Sequence, residues 1–149
     1  VLEYNLIMRG EIKKMIKWRQ SLSVGIDMID EEHKELFKRV NDVFDACMKQ
    51  QGQEKIYEIL GFLKEYTVKH FGDEERLLEK YKYPELPQHK KLHEKFVNDI
   101  KEIEDDVKEN GVSVSIITTL NRKLVDWLIN HISKVDKKYG EYIKAHPID

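Results

Sequence analysis

Between Ile56 and Leu77 the sequence places Ile56, Leu60, Leu63, Thr67, His70, Glu74 and Leu77 at alternating steps of four and three. Only a helix gathers such positions into one continuous stripe, and a stripe of this width is a seam for packing against other helices. Three further stripes follow the same rule: Leu36, Phe37, Val40, Val43, Phe44 and Cys47; His89, His93, Phe96, Ile100, Ile103 and Val107; Ile117, Leu120, Leu124, Trp127 and His131. Neither alternating strands nor a long internal repeat is evident. The spacing predicts helices over about 30–49, 54–80, 88–110 and, from Ser113 or Ser115, to about 136, with a short helical turn around 137–144. Gly52, the Tyr81–Pro87 segment with its two prolines, and Asn110-Gly111 punctuate them, since proline cannot donate and glycine accepts a left-handed cap. Connections this short favour antiparallel neighbours. The expected fold is therefore all-α, an antiparallel up-down-up-down four-helix bundle over residues 18–149. Residues 1–17 form an N-terminal extension or arm, with Ile16 and Trp18 placed to pack across the bundle.

Composition narrows the class of function. The 149 residues are 40% hydrophobic and 36% charged, enough for a real core without staples. Lys and Arg total 26 against 28 Asp and Glu, intermixed along the chain. That balance gives no electrostatic case for binding nucleic acid. No apolar run approaches the roughly 20 residues that a membrane helix needs. Residues 1–8 are too few and too polar for a signal peptide. Cys47 is the one cysteine, which rules out a disulfide framework, fits a small core hydrophobe and suits a reducing, cytoplasmic setting.

The informative residues are those that break the stripes. His70 and Glu74 occupy seam positions on the second helix, His89 and His93 on the third, His131 on the fourth, and His33 lies on the apolar face of the first. A lone buried histidine is ordinarily a satisfied core residue, but six such groups need a common explanation, because each is costly to bury without a partner. Their heights supply one. His33 starts its helix, His70 and Glu74 end theirs, His89 and His93 start theirs and His131 nears the end of its own. In an up-down-up-down bundle all of these lie at the same end. Residues four apart differ by about 40° in direction and lie roughly 6 Å apart along the axis, so His70/Glu74 and His89/His93 can each offer two donors to one site. Imidazole suits iron, zinc and copper, and a carboxylate can bridge two metals. Asp136 fits less easily. Five residues after His131 it stands about 140° round an ideal helix, so joint inward orientation requires local unwinding, and spacing alone leaves its role open.

With these residues in place, the chain resembles the hemerythrin family. The resemblance rests on Val24-Gly25-Ile26-Asp27 with Ile29-Asp30-Glu31-Glu32-His33 and Leu36-Phe37, on His70-Phe71-Gly72-Asp73-Glu74-Glu75, on Tyr83-Pro84 leading to His89, His93 and Phe96, and on Trp127-Leu128, His131-Ile132, Asp136 and Tyr139. It covers roughly residues 18–139 and leaves out residues 1–17 and His146, the latter read as a surface histidine. The resemblance implies two non-haem iron ions with an oxo or hydroxo bridge. His89, His93 and His131 would hold one iron, His33 and His70 the other, and Glu74 and Asp136 would bridge them. It also implies O2 as the ligand at the less saturated iron, with carriage, storage or delivery rather than catalysis as the role.

Leu36, Phe71, Trp127, Leu128 and Ile132 flank the implied ligands and could form a dry O2 pocket. Read without function, they are ordinary bundle core. The Glu-x-x-His pairs of carboxylate-rich di-iron bundles are absent, and a donor set poor in carboxylate favours reversible binding over oxidative chemistry. Two other readings share this fold. One is an enzyme acting on NO, peroxide or ferrous iron. The other is an O2 or redox sensor that signals through residues 1–17. A delivery or signalling partner protein is not specified by the sequence.

Overall fold

The computed structural model describes residues 16–148. They are helical, with no strand among the described residues. Helix α1 spans Asp27–Met48, α2 Gln53–Lys80 and α3 Leu86–Asn110. The fourth helix, α4, runs over 114–145 as one rod of varying pitch. It is α-helical at Val114–Leu120, Trp127–Asn130 and Lys137–Ala145, and winds into wider π turns at Asn121–Asp126 and His131–Asp136. Backbone angles at every junction stay right-handed helical, so the rod is continuous. These are the four helices expected, in a four-helix bundle.

Helix boundaries differ from the sequence reading at two ends, each for a visible reason. Helix α1 begins at Asp27 rather than near residue 30. Asp30 turns back to accept from Val24 N at 2.9 Å and from Ser23 Oγ at 2.5 Å, and Ile29 is fully buried beside Leu78 and Tyr139. Helix α3 takes Pro87 into its first turn, where a missing N–H costs nothing because no carbonyl partner exists there. The turn expected at 137–144 is helical to Ala145, and α4 runs into it without a break because the π turn at His131–Asp136 keeps right-handed helical backbone angles.

The core has two parts. A large cluster runs along the bundle through Leu36, Val40, Phe44, Leu60, Phe96, Ile100, Leu124 and Ile132. A smaller one of Val24, Ile29, Leu78, Tyr83 and Tyr139 closes the end that carries the polar residues. Leu78, not Leu77, completes the α2 seam in this second cluster, and Leu77 is only partly buried. Ile16 is buried, and Asn41 binds it at both backbone atoms, accepting from its N at 3.2 Å and donating to its O at 2.8 Å. Trp18 packs beside Phe37 with ring centroids 6.0 Å apart. The rest of the expected arm, residues 1–15, lies outside the described residues.

Candidate metal centre

His33, His70, Glu74, His89, His93, His131 and Asp136 are all buried and meet at one end of the bundle. Antiparallel packing is what brings them together, since the start of α1 and α3 and the end of α2 and α4 share that level. Two compact donor groups result, each with its ligand atoms within 4.8 Å of one another: Glu74 with His89, His93 and His131, and Glu74 with His33 and His70.

The two oxygens of Glu74 divide between the groups. Oε1 lies 2.7 Å from His89 Nε2 and 3.0 Å from His93 Nε2. Oε2 lies 3.2 Å from His70 Nε2 and 3.6 Å from His33 Nε2. Asp136 belongs to neither compact group but divides the same way. Its Oδ1 is 3.0 Å from His131 Nε2 and 3.3 Å from His89 Nε2, while Oδ2 is 3.2 Å from His33 Nε2.

The π turn at His131–Asp136 resolves the awkward spacing of Asp136. The backbone N–H of Lys137 donates to Ile132 O, five residues back. An α ladder closes on the fourth residue, so this turn holds one residue more. The extra residue carries Asp136 round to the face that His131 occupies. Single π turns of this kind recur at functional sites.

Side chains behind the donors fix their orientation. Glu32 Oε1 lies 2.9 Å from His70 Nδ1, and Lys69 Nζ donates to Glu32 Oε2 at 3.0 Å. Glu75 Oε2 lies 2.8 Å from His93 Nδ1. Tyr139 donates its phenol hydrogen to Glu74 Oε2 at 2.9 Å. Phe71 stacks on the His93 ring at 3.7 Å, and Trp127 stacks on His131 at 4.4 Å. Holding each imidazole by its second nitrogen leaves the first free for a metal. Sequence reasoning gave Glu32, Glu75 and Tyr139 no such role. Glu32 and Glu75 sit beside His33 and Glu74 in sequence, the only local signal, but each serves a histidine on another helix.

Electrostatics at this end are severe. At His33, His70, His89, Glu74 and Asp136 burial works against charge, and the opposite charges alongside outweigh it. At His70, burial lowers the pKa, but Glu32 and Glu74 outweigh it and push the value up to about 10. At His89, burial is outweighed by Asp136 and Glu74, which raise it to about 9. His33 is raised by Asp136 and Glu74 against the same opposing burial. Burial would raise Glu74, but the four surrounding imidazoles keep it well below the usual carboxylate range. Asp136 is also lowered, against burial and the nearby Glu74 charge, by His131 and His33.

A metal pair fits these residues. His33 Nε2, His93 Nε2, His131 Nε2 and Asp136 Oδ1 are buried without a hydrogen-bond partner, and each of these atoms takes part in the converging contacts above. Buried polar atoms are normally paired, so several orphaned donors aimed at one point call for cations. Neutral imidazoles and carboxylates together suit divalent first-row metals, iron and zinc among them.

Fold and donors together define a metal-binding four-helix bundle. The model described as the hemerythrin HHE cation binding domain matches residues 24–143. Bacteriohemerythrin of Stenotrophomonas maltophilia is 32% identical over 133 residues, covering 89% of this chain and 84% of that one. Myohemerythrin of Theromyzon tessulatum is 31% identical over 129 residues, covering 87% and 94%. A crystal structure of wild-type hemerythrin aligns with a TM-score of 0.75 at 31% identity, covering 85% of this chain and 96% of that one. The chain belongs to the hemerythrin family.

The residues expected to line an O2 pocket lie in or against the large core cluster. Leu36, Phe71, Leu128 and Ile132 are buried, and Trp127 is half-buried. No helix among the described residues is long and apolar enough to cross a membrane.

Proposed function

We propose that this chain binds O2 reversibly at a non-haem di-iron centre and acts as a carrier, store or delivery protein rather than an enzyme. The observation that carries this reading is the division of the two carboxylates. Each presents one oxygen to the side of His89, His93 and His131 and the other to the side of His33 and His70. Two ions held this way would share Glu74 and Asp136 and differ by one imidazole. The iron on the His33 and His70 side would keep one coordination position for O2. Relatives named hemerythrin, myohemerythrin and bacteriohemerythrin support the same reading.

When bound, the two ferrous ions supply the electrons and the vacant position that O2 binding requires. The chain's own residues do the rest. Tyr139, Glu32 and Glu75 hold Glu74, His70 and His93 in place, so the donors are positioned before metal arrives. Leu36, Phe71, Trp127, Leu128 and Ile132 keep water and stray protons from the vacant side, which suppresses irreversible oxidation. With a single cysteine in the sequence, Cys47, no intrachain disulfide exists, and that supports a cytoplasmic setting.

The test is the visible spectrum of the iron-loaded protein, cycled between oxygen-free buffer and air. A charge-transfer band that appears with O2 and vanishes on its removal is expected. Immediate, irreversible conversion to a ferric spectrum would overturn reversible binding and favour redox sensing or enzymatic reduction of NO or peroxide.

A further inference from the structure

A groove of about 530 Å³ runs between α2 and α3, with Phe71, His93 and Glu75 among its lining residues. Val68 stands on it 54% exposed, Val97 is half-buried beside it, and Gly72 contributes no side chain to fill it.

Glu94 and Lys101 of α3 line this groove, and Lys90 and Asp105, one helical turn beyond each of them, continue the same row. Lys90, Glu94, Lys101 and Asp105 are all exposed, and Asn98 lies among them. None of the four makes a salt bridge among the described residues, and only Asp105 has a nearby cation of the chain, Lys64, whose pKa it helps to raise. Their neighbours do find partners within the chain: Lys95 with Asp99 at 2.8 Å and Glu102 with Lys123 at 3.4 Å. Glu94 and Lys101 are seven residues apart, hence on nearly the same line of the helix and about 10 Å apart along it. They are equidistant in sequence from the Val97–Asn98 peptide, and so are Lys90 and Asp105.

That order is self-complementary. When α3 meets a second α3 antiparallel about an axis through the Val97–Asn98 peptide, Glu94 faces Lys101 of the other copy and Lys90 faces Asp105, each twice. In a parallel arrangement every charge would face its own kind, which is repulsive. A uniformly acidic or basic partner would be repelled by half of the row. Val97 and Val68 lie near the axis, where an isologous contact places its apolar centre.

We propose that the α2–α3 face pairs with a second copy of this chain about a two-fold axis at the Val97–Asn98 peptide, with Glu94–Lys101 and Lys90–Asp105 as the pairs across it. The pairing covers the groove and removes the partly exposed Glu75, the partner of His93, from solvent. It is independent of which ligand the metal centre takes. Two helices a side make a small face, so the dimer is weak and concentration-dependent.

Sedimentation equilibrium of the metal-loaded full chain over about 1 to 500 µM tests this. The wild type is expected to show a reversible monomer–dimer equilibrium. Lys101→Glu places Glu against Glu94 of the other copy and weakens the dimer by about tenfold or more. The double variant Glu94→Lys/Lys101→Glu exchanges the charges and restores it. Circular dichroism confirms that these surface variants remain folded. A wild type that stays monomeric throughout, a dimer indifferent to Lys101→Glu, or a double variant no better than the single one would each overturn the proposal.

Discussion

Tyr139 donates to Glu74 Oε2 at 2.9 Å, and neither residue is exposed at all. Among the described residues this is the one hydrogen bond to Glu74 from a group outside the imidazole donors, and it comes from the helix that also carries His131 and Asp136. Tyr139→Phe removes the donor and keeps the ring that packs against Tyr83, 6.3 Å away. Loss of an outer partner of this kind reduces metal affinity by about 10- to 100-fold. Competition with a chelator measures it. An unchanged affinity would mean that Tyr139 only fills space.

Gly140, the next residue, shapes the same end of the molecule. A Cβ there would collide with Val24 O and stand 3.3 Å from Val24 Cβ. The Val24 loop has little room to withdraw, because Asp30 holds its backbone N–H. Alanine gains about 1 kcal/mol in helix propensity, whereas overpacking against backbone costs about 1–3 kcal/mol. Gly140→Ala is expected to destabilise the fold by about 1 kcal/mol on balance, read as a lower denaturant midpoint at constant slope. A raised midpoint would show that the loop yields.

The pH response of the metal-free protein has a definite sign. His70 and His89, ordinarily near 6.5, are raised to about 10 and about 9 by the carboxylates beside them, against burial. Their charged forms favour the fold, so their contribution is fully present below 6.5 and is lost as pH rises through 9 to 10. Glu74 is lowered from 4.5, so its contribution is present above that value and is lost only as pH falls through its depressed one. The metal-free protein should therefore be most stable in mildly acidic solution and weaken steadily towards alkaline pH. Metal binding requires neutral imidazole and releases these protons, so affinity rises over the same range. Thermal midpoints of metal-free and metal-loaded protein across about pH 6 to 10 check both statements. A metal-free midpoint that rises with pH would reverse the assignment.

Much of the metal end was legible in the sequence, because polar residues on an apolar seam are conspicuous and antiparallel connectivity fixes their height. His33, His70, Glu74, His89, His93 and His131 needed only periodicity and the order of the turns. Glu32 and Glu75 were illegible because their partners His70 and His93 sit on other helices, and the rotation of one helix against another is set by packing. Leu78 displaces Leu77 from the seam for the same reason: Ile29 and Tyr139, distant in sequence, build the cluster that receives it. Asp136 was ambiguous because wide turns leave no mark in a pattern of apolar residues. The clamp of Asn41 on Ile16 left no signal either, since an exposed-looking asparagine on a helix face is ordinary.

Asp136 also carries the sharpest prediction about the metal pair. Its Oδ2 reaches His33, and its Oδ1 reaches His131 and His89. Asp136→Asn retains the size of the side chain and one oxygen, but removes the negative charge that two adjacent cations would share. The His89, His93 and His131 side would keep three imidazoles and Glu74 Oε1. The other side would be left with His33, His70 and Glu74 Oε2, one anionic donor fewer. Iron analysis of the variant, loaded and desalted like the wild type, should therefore give about one ion per chain against about two. The remaining ion should be held by the three-histidine side, and additional replacement of His131 by alanine should then abolish binding. Two ions retained by Asp136→Asn would remove Asp136 from the bridge and leave the π turn at His131–Asp136 without a metal-binding purpose.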